Sequence, residues 1–343
     1  MSEQFVQINV TGSRARRLTY PACGKGIIEY AQLIDIKDEN VTLKTLYSGI
    51  SKGTESLVFN GNVPESEWTR MQCPFMTGSF AFPITYGYAC VCEVMECGKA
   101  VENLELGDRV FILHPHQDLM CVPASACHKL PDIIPTKRGV LSANMETGLN
   151  SVWDAEISGK PACAVIGAGV VGLMTAHALR ETTGVSPIVL DVNPAKEKII
   201  SKLGFNFANP SRHTDLNLPE FEFLFHTSAS SEGLQTAIDL AGFEARIVEL
   251  SWYGEKPVSL LLGGAFHSKR LRIIASQVGS IAPAMRAELD QSERIKQAMA
   301  LLDDPRLDSL LETEIEFSEV PDHLHDLLGP QSDILCQVIR YTD

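Results

Sequence analysis

The sequence predicts an α/β protein in two parts: a β-rich domain and a doubly wound domain built on a parallel sheet. Three observations carry that prediction. Up to about residue 135, short apolar runs are separated by turn residues. Beyond about residue 140, helical segments alternate with apolar extended ones. A glycine-rich turn at 167–172 joins one such extended segment to one such helix. At 343 residues the chain has room for two domains of ~100–200 residues each. Apolar residues at 45% and charged residues at 21% match a packed chain, not a disordered or coiled-coil one.

In the first part the apolar runs are residues 27–36, 41–47, 89–95, 109–113 and 120–123. Gly49, Gly53, Gly61, Pro64, Gly98 and Gly107-Asp108 punctuate them, the pattern of a small barrel or sandwich. In the second part, 140–153 reads as a helix and 162–166 as a strand. The glycine turn and a helix to Arg180 follow, then a strand at 187–192 and a helix at 194–203. A strand at 221–226, a helix ending at Leu240, and strands at 245–252 and 271–276 complete the alternation. Alternating strands and helices imply a parallel sheet covered on both faces. The tail offers a helix at 286–302 and a strand at 334–341.

The formal charge of −14, from 29 basic and 43 acidic residues, argues against nucleic acid as a partner, because phosphate neutralisation needs a basic face. It argues equally against an anionic membrane surface. No apolar run approaches the ~20 residues that span a bilayer, and residues 1–5 lack a signal pattern. Nine cysteines, an odd number without framework spacing, point to a reduced, cytoplasmic protein.

The sharpest motif is Gly167-Ala168-Gly169-Val170-Val171-Gly172. Gly167 permits the tight turn, Gly169 lets a pyrophosphate approach the backbone, and Gly172 lets helix and strand pack closely. The helix start, at Val170 and Val171, offers free N–H groups and a positive dipole end to phosphate. Asp191 closes the next strand 19 residues beyond Gly172, where a carboxylate binds the adenosine ribose. It would repel a 2′-phosphate, so NAD is the expected cofactor. Lys196 nearby keeps NADP open.

With these motifs, Gly107-Asp108-Arg109-Val110 and the strand ending Ser251-Trp252-Tyr253-Gly254, the chain resembles the medium-chain dehydrogenase/reductase family over nearly its full length. The resemblance implies a GroES-like catalytic domain, expected at 1–145 plus 277–343, and a Rossmann domain at 146–276. It also implies a homodimer joined through an edge strand at 271–276, and a small-molecule substrate in a cleft between the Gly87-Tyr88-Ala89 segment and the glycine turn. Zinc-binding members carry Gly-Ile-Cys and Gly-His-Glu. Here Gly49-Ile50-Ser51 and Gly87-Tyr88-Ala89 stand instead, and Lys52-Gly53 adds one residue before Thr54-Glu55. Glu146 falls near the third-ligand region, and only Cys121 and Cys127 remain of the structural-zinc lobe. No metal is therefore expected.

Hydride transfer to a carbonyl still needs a donor for the developing oxyanion. The expected catalytic residues are Tyr88, as donor or proton relay, Thr54, and Glu55, as orienting group or base. Several features read more simply as structure. Cys90, Cys92 and Cys97, with His114 and His116, could ligate a metal, but buried thiols are commonly small hydrophobes. His114-Pro115-His116 reads as a solvated or structural loop, and the basic run 267–272 as a solvated one. The helix around Met145 reads as core. The expected function is a zinc-independent, NAD(P)-dependent oxidoreductase acting on a small carbonyl, alcohol or activated alkene. The alternatives are a zinc alcohol dehydrogenase with displaced ligands and an inactive nucleotide-binding homologue.

Overall fold

The computed structural model describes residues 14–33, 35–211, 218–329, 332 and 334–342. In chain order the strands and helices are β1 Arg14–Ala22, β2 Lys25–Gln32, β3 Asn40–Ile50, α1 Lys52–Phe59, β4 Cys90–Cys97, β5 Arg109–Ile112, β6 Leu119–Pro123, β7 His128–Lys129 and α2 Ser142–Ala155. There follow β8 Cys163–Ile166, α3 Val170–Thr183, β9 Ile188–Leu190, α4 Glu197–Lys202, β10 Asn206–Ala208, β11 Phe221–His226, α5 Ser231–Leu240, β12 Ala241–Glu249 and β13 Arg272–Ala275. The chain ends with α6 Gln291–Ala300, β14 Glu314–Glu316, α7 Val320–Leu328 and β15 Gln337–Arg340. Two compact units result: residues 1–143 with 311–343, and residues 144–310.

The first unit is β-rich. β1 and β2 form an antiparallel hairpin, and a larger sheet runs β14-β15-β3-β4-β5-β7, with β6 also paired to β3. Residues alternate across a strand, so Cys90, Cys92 and Val94 of β4 reach one core with Val41, Leu43, Val110, Ile112 and Met120. The C-terminal strand β15 pairs antiparallel with β3. Two chain ends thus build one sheet. The helix α7 was not expected; Val320, Leu324, Leu327 and Leu328 form its buried face.

The second unit holds a parallel sheet ordered β10-β9-β8-β11-β12-β13. Every residue of β8 is buried, as expected for a strand covered on both faces. Strand order reverses between β8 and β11: β8 leads to β9 and β10 on one side, and β11 returns to pair with β8 on the other. Ligands of such sheets bind outside the carboxyl ends of the strands at that point.

Residues 277–310, expected with the catalytic domain, cluster with the second unit. The reason is a buried ion pair: Arg294 of α6 donates to Glu146 (2.9 Å) and Asn150 (2.8 Å) of α2. His177 of α3 adds a bond to the Leu301 carbonyl (2.9 Å). Among the described residues, no helix is long and apolar enough to cross a membrane.

Candidate functional site

Gly53, expected as a turn residue, lies in α1. Ser51 is the helix N-cap, but its side chain does not cap. Instead Glu55 reaches back, and its Oε1 accepts the Ser51 N–H at 2.7 Å. A carboxylate there satisfies an orphan donor and meets the positive end of the helix dipole. Glu55 is fully buried, and its Oε2 accepts from His116 Nε2 at 3.0 Å. With Nε2 carrying the hydrogen, Nδ1 of a neutral ring accepts from Ser48 Oγ (2.8 Å), which itself accepts from the Tyr341 hydroxyl (2.9 Å). Ser48 and His116 are also fully buried. Gly87 makes room for the ring: it sits at φ +118°, and a Cβ would lie 2.7 Å from His116 Cδ2.

Tyr88 is half-buried and packs edge-on against Tyr86, centroids 6.1 Å apart. Its hydroxyl hydrogen-bonds to the Ser51 and Thr54 side chains. Burial, then the Glu55 charge, push the phenol above its ordinary range, while the two hydroxyl partners oppose that shift. Tyr88 is therefore held protonated. The structure brings Tyr88 and Thr54 together. Glu55 acts on Tyr88 by charge rather than by hydrogen bond, since both its oxygens are engaged elsewhere.

In the second unit the glycine turn has the expected construction. Gly167 is at φ +105°, and a Cβ would lie 2.9 Å from Ser228 N and Thr227 Oγ1; a Cβ on Gly172 would lie 2.0 Å from the Gly167 carbonyl oxygen. By contrast, a Cβ on Gly169 would meet open space. Gly169 is the N-cap of α3 and provides no capping side chain, so Val170 and Val171 open the helix as a candidate anion site. Asp191 follows β9. Its carboxylate accepts from Ala168 N–H and Asn193 N–H, both at 2.8 Å, and its remaining lone pairs suit ribose hydroxyls.

The His-Pro-His segment is buried rather than solvated. His114 stacks on Phe75 (5.3 Å, 25°) and its Nδ1 donates to the Pro115 carbonyl at 2.8 Å. Burial lowers its pKa to about 4, with the Pro115 bond opposing and His116 assisting. Cys90 donates to the His114 carbonyl (3.2 Å) and Cys92 contacts Thr45 Oγ1 (3.6 Å), so both thiols sit in the core. In the basic run, Lys269 pairs with Glu220 and Arg270 with Glu244, each at 2.8 Å.

One group of three metal-capable side chains is close together among the described residues: His177, Glu181 and Asp304. Its donors are spent. His177 uses Nε2 on Leu301 O and Nδ1 on Arg180 (3.2 Å), and Asp304 binds Arg306 through both oxygens.

Sequence reasoning gave no role to His226 and Glu249, which close β11 and β12. Their Nδ1 and Oε2 atoms are 2.7 Å apart. A polar residue at the carboxyl end of a predicted parallel strand was the available signal.

No protein-family model matches the chain. It is 26% identical over 161 residues to (R,R)-butanediol dehydrogenase of Bacillus subtilis, which is 39% of this chain and 46% of that protein. The match thus spans under half the relative's length. An uncharacterized zinc-type alcohol dehydrogenase-like protein of Haemophilus influenzae is 22% identical over 253 residues, 70% of each chain.

Solved structures share the fold. An Escherichia coli oxidoreductase/dehydrogenase of unknown specificity superposes with TM-score 0.78 at 18% identity, over 96% of this chain and 100% of that one. A zinc-binding dehydrogenase of Sinorhizobium meliloti 1021 bound to NADP gives 0.76 at 16%, over 96% and 99%. An Escherichia coli CFT073 alcohol dehydrogenase in complex with NADH gives 0.74 at 17%, over 96% and 100%.

Proposed function

Taking as premise that the chain belongs to the medium-chain dehydrogenase/reductase family, we propose that it is a zinc-independent, NAD(P)-dependent oxidoreductase. Its substrate class is a small carbonyl or alcohol, or an activated alkene. The observation that carries the reading is the Tyr88 hydroxyl, hydrogen-bonded to Ser51 and Thr54, standing where the zinc-type pattern has histidine.

Zinc does not fit the residues present. It takes about four N, S or O ligands. Ser51 and Tyr88 bring hydroxyls, the latter held protonated by burial, and Ala89 brings none. The Glu146 carboxylate is committed to Arg294. A dinucleotide does fit. Val170 and Val171 would face its diphosphate, beside the open approach at Gly169, and Asp191 would take ribose hydroxyls and disfavour a 2′-phosphate.

When bound, the nicotinamide supplies or accepts the hydride. The chain's own groups handle the proton. In reduction, Tyr88 hydrogen-bonds to the oxygen where negative charge builds, protonates it and is reprotonated from solvent, while Thr54 holds the phenol in place. Glu55, anchored by Ser51 N–H and His116, keeps a negative charge beside the phenol and so maintains its proton. The homodimer belongs to this reading too: β13 is a sheet edge, and extending the sheet across a two-fold would satisfy its outer backbone groups. Sedimentation should return a dimer, and a concentration-independent monomer would count against it.

The direct test is metal analysis of protein purified without chelator, joined to NADH and NADPH oxidation on a panel of small ketones, aldehydes and enals. Turnover with far less than one zinc per chain is expected. About one zinc per chain, with turnover abolished by its removal, would overturn the reading. Tight NADH binding without turnover on any substrate would favour an inactive homologue.

A further inference from the structure

His226 is fully buried at the end of β11, and Ser228, two residues beyond it, is exposed. His226 Nδ1 meets Glu249 Oε2 at 2.7 Å, and His226 Nε2 meets Ser228 Oγ at 2.7 Å. The carboxylate only accepts, so Nδ1 carries the hydrogen. Nε2 then accepts the Ser228 O–H, and the same Ser228 oxygen accepts from Ser230 Oγ at 3.0 Å, which leaves it one acceptor position. Glu249 is itself held, by Ser251 N–H on Oε1 (2.7 Å) and by the Tyr253 hydroxyl on Oε2 (3.0 Å). Tyr253 stacks over the imidazole at 6.4 Å.

Two further observations show a built arrangement. Gly233, the third residue of α5, would place a Cβ 2.1 Å from Ser228 Oγ and 2.7 Å from His226 Nε2; the helix is bare where the relay passes. Ala229 is held at φ +52°, a left-handed conformation that a non-glycine residue adopts only where the surrounding structure imposes it. Its N–H donates to Ser251 Oγ at 3.1 Å.

Ser228 also lies at the glycine turn. Its N and Cα are 2.9 and 3.0 Å from the missing Cβ of Gly167, and Thr227 Oγ1 donates to the Gly167 carbonyl at 2.9 Å. This is the carboxyl end of β11, beside β8, where strand order reverses and ligands bind. The order Ser–His–Glu is also that of an acyl-transfer triad. Here, however, the Ala229 N–H that would serve an oxyanion is spent on Ser251.

We propose that Glu249–His226–Ser228 is a positioning relay for the dinucleotide, fixing the Ser228 hydroxyl as a hydrogen-bonding contact to the cofactor beside the glycine turn. Ser228 is the contact and His226 and Glu249 position it; this rests on the cofactor reading above.

The test is a double-mutant cycle on NADH affinity, read by NADH fluorescence at fixed pH and salt, with melting curves to establish folding. Ser228→Ala and His226→Gln should each weaken NADH binding by roughly tenfold, and the double variant no more than either single. That non-additivity separates positioning from general damage. Unchanged NADH affinity in Ser228→Ala would overturn the relay, and so would independent, additive losses. Ser228→Ala alone decides the matter if His226→Gln fails to fold. Wild-type protein that binds neither NADH nor NADPH would overturn the cofactor reading first, and the relay with it.

Discussion

Among the described residues stand two Glu–His–Ser arrays with a tyrosine beside each, one per unit. In the first, Glu55, His116 and Ser48 are sealed in the core and end on Tyr341. In the second, Glu249, His226 and Ser228 begin in the core and end on an exposed serine two residues past a strand. The ring is used in opposite senses: Nε2 faces Glu55, whereas Nδ1 faces Glu249. The same three residue types therefore do different things according to where the string ends. A closed string satisfies its own polar atoms and fixes backbone, here the start of α1. An open string passes that order to a ligand-facing group.

The largest contrast should come from removing each histidine. His116→Leu leaves Oε2 of the fully buried Glu55 carboxylate without its donor, at a cost of about 3 kcal/mol. His226→Leu should cost only about 1–2 kcal/mol, because Glu249 keeps two other donors and its side chain is 13% exposed. Urea midpoints of the two variants measure the difference. Equal losses would erase the distinction between closed and open arrays.

Beside the closed array, Tyr88→Phe should lower turnover by ~10²–10³, or ~3–4 kcal/mol, with NADH affinity nearly unchanged. A full rate on a verified substrate would reduce Tyr88 to packing.

The third effect is on acid stability. His114 has a folded pKa of about 4 against an ordinary 6.5, so the unfolded chain takes up this proton first. Its contribution is complete above pH 6.5 and is lost as pH falls toward 4, at up to ~1.4 kcal/mol per unit. Stability curves of wild type and His114→Gln should converge across that window. Parallel curves would refute the assignment.

The smallest effect lies beside the open array. Asp191→Ser should move the NADP-to-NAD affinity ratio by about tenfold toward NADP, ~1.4 kcal/mol. A wild type that prefers NADP would contradict the role given to Asp191.

Periodicity and turn chemistry were legible in the residues alone. The strand at 221–226 matches its expected bounds to the residue, and the glycine turn and its helix lie where short-range spacing puts them. The helix α1 was hidden by Gly53, a residue read as a turn. The short strand β10 has only three residues, too few to show a period.

What no local pattern contains is pairing at a distance. Glu55 and His116 are 61 residues apart, Ser48 and Tyr341 are 293, and Glu146 and Arg294 are 148. Sequence placed Tyr88, Thr54 and Glu55 near one another through the resemblance, but only the fold decided which of them touch. It also turned a proline-interrupted His-Pro-His loop into a buried support. The physical reason is that burial and hydrogen-bond partnership depend on strand register and on which chain segments cross. Those follow from the summed packing of the whole core and not from the residues nearby.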